Sequence, residues 1–239
     1  MIGFITGASR GLGLELTKLG LASGDTVLAA SRGQTEKERE LWQLQAQYPK
    51  TMIWLKMDVT DESEVITAAQ EAGQKLQKLD YIINNAGVLF ESKFDTRDPI
   101  QTMDIAMLRK TLEVNTIGPA IVLKHFIPLL YLSDAPSIVN ITSEGAALSP
   151  NGCRYPAYCI SKSALNMYTQ KVRNFLAEQE ETRKIKVYMV HPGRMDTEMG
   201  AENAQISPAV PAKAIYHFIR NRNLPEMEIP FIDYTGKKL

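Results

Sequence analysis

The sequence predicts an α/β fold: a doubly wound, mostly parallel seven-stranded sheet in a single domain. Three observations carry that expectation. Short apolar runs of strand length alternate with longer helical patterns along the chain, which implies a parallel sheet covered by helices on both faces. The first run turns into a helical pattern through three glycines and an arginine, Thr6-Gly7-Ala8-Ser9-Arg10-Gly11-Leu12-Gly13. Finally, 239 residues with no internal repeat, low-complexity tract or Pro/Ser-rich linker read most economically as one domain over 1–239.

The elements follow in order. Ile2–Thr6 is the first strand, and Leu12, Leu14, Leu16, Leu19 and Leu21 give a helical pattern near 12–22. Thr26–Ala30, Met52–Met57 and Tyr81–Asn84 are the next strands, separated by helix-length segments near 35–47 and 62–77. Two helical patterns near 100–112 and 113–132 lead to a fifth strand, Ser137–Thr142. A long helix near 157–180 precedes Lys186–Val190, and a helix near 208–221 precedes the weakest strand, Glu228–Ile232. Right-handed crossovers between such strands give the doubly wound sheet of the Rossmann fold. Two segments fit no regular element, Leu89–Pro99 and Arg194–Ser207. Both follow strand ends, and open parallel sheets bind ligands outside the carboxyl ends of their strands. The segment near 194–207 reads as a short substrate lid.

Composition narrows the function classes. Lys+Arg and Asp+Glu both number 27, so the formal net charge is zero and no global field draws nucleic acid or an anionic membrane. Met1 runs straight into the first strand, so no signal peptide is read. The apolar stretch Ile117–Leu132 is interrupted by Lys124, His125 and Pro128, which reads as a core helix rather than a membrane span. Two cysteines, Cys153 and Cys159, are too few for a disulfide scaffold and read as thiols of a reducing cytosol. No metal cluster forms around His125, His191 or His217, and the expected location is cytoplasmic.

Gly7, Gly11 and Gly13 mark the turn from strand to helix. Glycine permits positive φ and close approach of a ligand to the backbone, and a helix start offers unpaired N–H groups to a pyrophosphate. The alternative is a tight turn that binds nothing. The second strand ends Leu28-Ala29-Ala30-Ser31-Arg32-Gly33, with no carboxylate before Glu36 to take ribose hydroxyls. Arg10 and Arg32 can instead pair with a 2′-phosphate, and Ser31 can add a hydroxyl, so the turn and the strand end together favour NADP(H).

The second informative stretch is Tyr155-Pro156-Ala157-Tyr158-Cys159-Ile160-Ser161-Lys162. Tyr158 and Lys162 are four apart, hence neighbours on one helix face. A nearby ammonium favours the phenolate and is expected to lower the tyrosine pKa, making Tyr158 a general acid for reduction or a base for oxidation. Ser143 ends the fifth strand, where its hydroxyl can bond a substrate carbonyl oxygen. The bland reading is that Ser143 caps a turn and Tyr158 only packs.

With these residues in order the chain resembles the short-chain dehydrogenase/reductase family. The shared features are the glycine turn, Asp58-Val59, Asn84-Asn85-Ala86-Gly87, Asn115, Ser143, Tyr158 with Lys162, and Pro192-Gly193 with Thr197. His191–Gly200 and Asp233–Lys237 are similar to the C-factor and sniffer-type carbonyl reductases within it. The resemblance implies that Ser143, Tyr158, Lys162 and Asn115 are catalytic, with Asn115 holding a water that links Lys162 to solvent. It implies cofactor contacts from Gly7, Ser9, Arg10, Gly11, Leu12, Gly13, Ser31 and Arg32. Asp58 and Val59 would meet the adenine, and Asn84, Asn85, Ala86 and Gly87 the adenosine-ribose side. Tyr158 and Lys162 would reach the nicotinamide ribose, Pro192, Gly193 and Met195 the nicotinamide end, and Thr197 the pyrophosphate. It implies a homodimer or homotetramer through the helices near 113–132 and 157–180. The connection from Ser143 to Tyr158 is longer than the family pattern, and its surplus, Leu148–Arg154, is expected to shape one pocket wall.

The function expected is NADPH-dependent reduction of an aldehyde, ketone or diketone. The alternatives are a nucleotide-sensing or signalling protein with little catalysis, and an NAD-dependent alcohol dehydrogenase.

Overall fold

The computed structural model describes residues 1–33, 35–93, 98–148, 152–199, 204, 206–222 and 227–239. Seven strands form one sheet: β1 (Ile2–Thr6), β2 (Thr26–Ser31), β3 (Met52–Lys56), β4 (Tyr81–Asn84), β5 (Ser137–Ile141), β6 (Lys186–His191) and β7 (Phe231–Asp233). Their order is β3-β2-β1-β4-β5-β6-β7, and every neighbouring pair is parallel. The helices are α1 (Gly11–Ala22), α2 (Arg39–Gln47), α3 (Glu62–Lys75), α4 (Ile105–Leu112), α5 (Gly118–Tyr131), α6 (Pro156–Glu178) and α7 (Ala209–Asn221). The doubly wound α/β expectation therefore holds, with the sheet wholly parallel.

Successive strand residues face opposite sides, so each strand feeds two cores. Ile5, Ala29, Ile83 and Val139 join α1 and α7 on one face. Phe4, Leu28, Ile82 and Ile138 join α3 and α5 on the other, where the Phe4 and Phe126 rings stack 4.1 Å apart. This two-faced burial is why the strands read as continuous apolar runs. The run Ile105–Tyr131 is long and apolar enough to cross a membrane by length and composition alone. Here Val122, Leu123, Phe126 and Leu130 of its α5 half are buried against the sheet.

Four differences separate the structure from the sequence reading. The residues near 35–47 begin as a 3₁₀ turn at Thr35–Glu38, and the helical pattern from residue 100 starts only at Ile105, where Asp104 caps Met107 N at 3.0 Å. Between α4 and α5 the chain widens into a π-helical turn at Glu113–Ile117, which 3.6-residue periodicity does not signal. Strand β7 is Phe231–Asp233, later than Glu228–Ile232: the Glu228 carbonyl accepts from Arg173 Nη1 at 2.7 Å instead of a strand neighbour, and Pro230 has no N–H to pair.

Strand β1 lies between β2 and β4, and the chain runs outward from it in both directions. That is the switch point at which such sheets leave a crevice beyond their carboxyl ends.

Candidate active site

The turn after β1 is shaped for close approach. Gly7 and Gly11 both have positive φ, 64° and 53°, where a side chain would be strained. Gly13 serves a different purpose: a Cβ there would lie 2.3 Å from the Gly7 carbonyl oxygen and 2.5 Å from Asn85 Nδ2. It is a packing glycine beneath the turn and does not line the crevice. The Asn85 amide donates to Thr6 O at 2.9 Å and Gly7 O at 3.1 Å, while Thr6 Oγ1 accepts from Asn85 N and Ala86 N, each at 3.0 Å. The glycine turn and the end of β4 are thus one bonded unit.

Over this unit opens a cavity of about 880 Å³. Gly7, Ser9, Arg10, Gly11 and Leu12 form one wall; Ser31, Arg32, Asp58 and Val59 another; Asn85, Ala86 and Gly87 a third. Tyr158, Lys162, Pro192 and Met195 close it from the far side, and Thr197 lies over Gly11, whose Cβ would meet it at 3.4 Å. Elements from the whole chain therefore converge on one long cleft, with arginines at one end and a tyrosine–lysine pair at the other.

At the arginine end, Arg32 is exposed, and the Ser31 hydroxyl accepts from Trp54 Nε1 at 2.9 Å. Arg10 forms an ion pair with Glu198, which sits in the segment expected to be a lid. Asp58 lines the cavity and also caps its own turn, accepting from Thr60 N at 2.9 Å and Thr60 Oγ1 at 2.8 Å. Sequence reasoning missed Glu38 here. The 3₁₀ turn brings it back onto the cavity wall, 2% exposed, and its Oε2 has no hydrogen-bond partner among the described residues. Its distance from the strand end hid it.

At the other end, Lys162 is 4% exposed and donates from Nζ to the Ile141 carbonyl at 2.8 Å. Burial pulls its ammonium down to about 8. Its Nζ stands 5.8 Å from the centre of the Tyr158 ring. Burial pushes the Tyr158 phenol up to about 12, and a hydrogen bond with Ser143 pulls part of the way back. Against the expectation of a lowered tyrosine pKa, burial is the largest influence on the phenol and raises it. Ser143 Oγ accepts from Gly145 N at 3.1 Å, so the hydroxyl caps a short 3₁₀ turn while it also bonds the Tyr158 phenol.

Other expected residues stand beside the cleft rather than on its lining. Asn84 is 2% exposed; the strand alternation turns its amide to Asn140 Oδ1, 2.8 Å away, and only Asn85 to Gly87 face the cavity. Asn115 is fully buried. Its Oδ1 accepts from Val88 N at 2.8 Å, and its Nδ2 donates to Val88 O at 2.9 Å and Ser161 Oγ at 3.0 Å. These bonds tie Asn115 to Val88 on one side and to Ser161 of α6 on the other. A Cβ on Gly87 would lie 3.3 Å from Asn115 Oδ1 and 3.5 Å from Lys162 Nζ, so that glycine keeps the three together. Gly193 has φ 81°, and a Cβ there would meet Ile206 at 2.9 Å and Tyr234 at 3.1 Å. It packs the turn after β6 and leaves Pro192 and Met195 to face the cleft. Met195 pairs with Ile206 in an isolated parallel bridge, which closes the described part of the 194–207 segment into a loop. Residues 200–203 and 205 of that segment, and 149–151 of the long connection, lie outside the described residues. Among the described residues no group of three or more His, Cys, Asp and Glu side chains could hold a metal ion.

The doubly wound sheet, the glycine turn over a long cleft and the Ser143, Tyr158 and Lys162 set define a dinucleotide-binding oxidoreductase. The sequence matches the short chain dehydrogenase family over residues 2–207, and the chain belongs to that family. A benzil reductase ((S)-benzoin forming) from Saccharomyces cerevisiae is 32% identical over 197 residues, 82% of this chain and 72% of that protein. A benzil reductase ((S)-benzoin forming) from Bacillus cereus is 27% identical over 254 residues, 96% of this chain and 98% of that protein. Among solved structures, the NADPH-bound carbonyl reductase from chicken fatty liver superposes with a TM-score of 0.87 at 25% identity, covering 99% of this chain and 97% of that one.

Proposed function

We propose that the protein is an NADPH-dependent reductase of small carbonyl compounds, with Tyr158 as proton donor. The observation that carries this reading is one cavity lined by the glycine turn, Arg10 and Arg32 at one end and by Tyr158 and Lys162 at the other. The residues fit the cofactor: a side chain at Gly7 would meet Ala86 Cα at 2.9 Å, and one at Gly11 would fill space up to Thr197, 3.4 Å away. Gly7, Gly11 and Thr197 would hold the pyrophosphate, and Arg10, Ser31 and Arg32 the 2′-phosphate. Bound NADPH supplies the hydride.

The chain's own residues supply the proton and the positioning. A phenol pushed up to about 12 stays protonated at neutral pH and has a proton to give. The Ser143 hydroxyl, held by Gly145 N and bonded to the Tyr158 phenol, would turn its proton to the substrate oxygen as negative charge develops there. Lys162, held by Ile141 O, keeps a positive charge behind the phenol as it becomes phenolate. The benzil reductases among the relatives support aromatic ketones and diketones as the substrates to try first.

Glu38 supports a second reading. A buried carboxylate on the cavity wall can accept from ribose hydroxyls and opposes a phosphate, which favours NAD(H). Comparing NADPH and NADH dissociation constants separates the two readings, and clearly tighter NADH binding removes the phosphate role of the arginines. The activity test is cofactor oxidation across aldehydes, ketones and α-diketones. Tyr158→Phe is expected to abolish turnover while NADPH still binds; a fully active variant refutes Tyr158 as donor.

We also propose a cytoplasmic location and self-association through α5 and α6. Exposed Ile160, Met167 and Phe175 on α6 support the second of these.

A further inference from the structure

Helix α6 carries Tyr158 and Lys162, yet it starts without a cap of its own. Its N-cap residue is Tyr155, which makes no side-chain capping bond and sits in the left-handed region at φ 60°. The first turn's donors can nonetheless all be accounted for. Pro156 has no N–H. Cys159 N bonds to Tyr155 O at 2.9 Å within the helix. The remaining two are taken by one side chain from a distant segment: Glu91 Oε1 accepts from Ala157 N at 3.0 Å, and Glu91 Oε2 from Tyr158 N at 2.8 Å.

Glu91 is only 4% exposed, in the 3₁₀ turn Phe90–Lys93 that follows β4. A buried carboxylate is costly unless it is hydrogen-bonded, and a helix N-terminus is the backbone feature that compensates a negative charge. Its neighbour Phe90 faces the cavity, so the turn that carries Glu91 is itself part of the site. The second of the two bonds ends on the backbone nitrogen of the proposed proton donor.

We propose that Glu91 is a positioning residue for catalysis: its two-oxygen clasp on Ala157 N and Tyr158 N fixes where α6 begins and so sets the Tyr158 phenol against Ser143. For its catalytic consequence the inference rests on the reductase reading. A misplacement of about 1 Å at a reacting group costs on the order of 100-fold in rate, so loosening this clasp should act on turnover without touching the nucleotide end of the cleft.

The test uses the full chain with Glu91→Ala and Glu91→Gln, read two ways. Amide hydrogen exchange of the peptide at the start of α6 reports the clasp directly. Both variants are expected to lose protection there while α1 and the glycine turn keep theirs. The glutamine, with one acceptor and one mismatched donor, should lose less. Unchanged exchange in both variants overturns the clasp. The second readout is kinetic. At temperatures where each variant is folded, kcat should fall on the order of 10- to 100-fold in Glu91→Ala and less in Glu91→Gln, with NADPH affinity within about twofold of the parent. Loosened exchange with unchanged kcat overturns the positioning role, as does a parallel loss of kcat and NADPH binding, which marks general damage. If Glu91→Ala does not fold, Glu91→Gln decides both points. Should the parent protein reduce no carbonyl at all, the reductase reading fails together with the catalytic role. The exchange data still decide the clasp.

Discussion

Replacing Lys162 with methionine should abolish turnover and yet make the protein more stable at neutral pH. The lysine is 4% exposed, and burial pulls its pKa from 10.5 to about 8. At about 1.4 kcal/mol for each unit of pKa, keeping it charged costs the folded state about 3 kcal/mol at pH 7. Against this stands its bond to the Ile141 carbonyl, whose loss in a buried place costs about 1–2 kcal/mol. The net expectation is a gain of about 1–2 kcal/mol in Lys162→Met at pH 7. The sign of the pH dependence follows from proton counts. Between about 8 and 10.5 the unfolded chain holds this proton and the folded chain has released it, so wild-type stability gains from rising pH in that window. The variant has no such group. Its advantage should therefore shrink by about 2–3 kcal/mol between pH 7 and pH 10, and reverse near the top. Burial raises the Cys159 thiol, which acts in the opposite direction, but it is present in both proteins and cancels in the difference. Urea unfolding of both proteins at several pH values measures this. A stability difference that does not change with pH would refute a depressed lysine.

Two other perturbations probe the nucleotide end. Gly13→Ala puts a methyl group 2.3 Å from the Gly7 carbonyl oxygen and 2.5 Å from Asn85 Nδ2. Overpacking there should cost about 1–3 kcal/mol in urea unfolding and weaken NADPH binding, and a variant as stable as the parent would show that the turn can yield. Glu198→Gln removes the carboxylate paired with Arg10. Both groups are exposed, so stability should hardly change, while NADPH should bind severalfold more tightly and NADH no differently. Equal effects on the two nucleotides would remove Arg10 as the phosphate partner.

Local signals explain what the sequence disclosed. The strands could be read because both faces of a parallel sheet are apolar, and Tyr158 and Lys162 because a four-residue spacing on a helix puts two side chains together. Gly7 and Gly11 could be read for the same reason, since positive φ favours one residue type. What stayed hidden depends on partners far along the chain. Glu91 lies 66 residues before Ala157, in a stretch without periodicity, and nothing in its surroundings marks it as a cap. Asn115 stands out in the sequence, but its bond to Val88 runs across a π-helical turn that has no pattern of its own. The upward shift of Tyr158 is not legible in the sequence, because proximity to a charge shows in spacing, whereas desolvation shows only in the packed structure.

The bonding of the glycine turn to Asn85 and Thr6 has a thermodynamic consequence. A phosphate cradle already tied to the next strand has little freedom left to lose, so a nucleotide entering it spends almost none of its binding free energy on ordering that end.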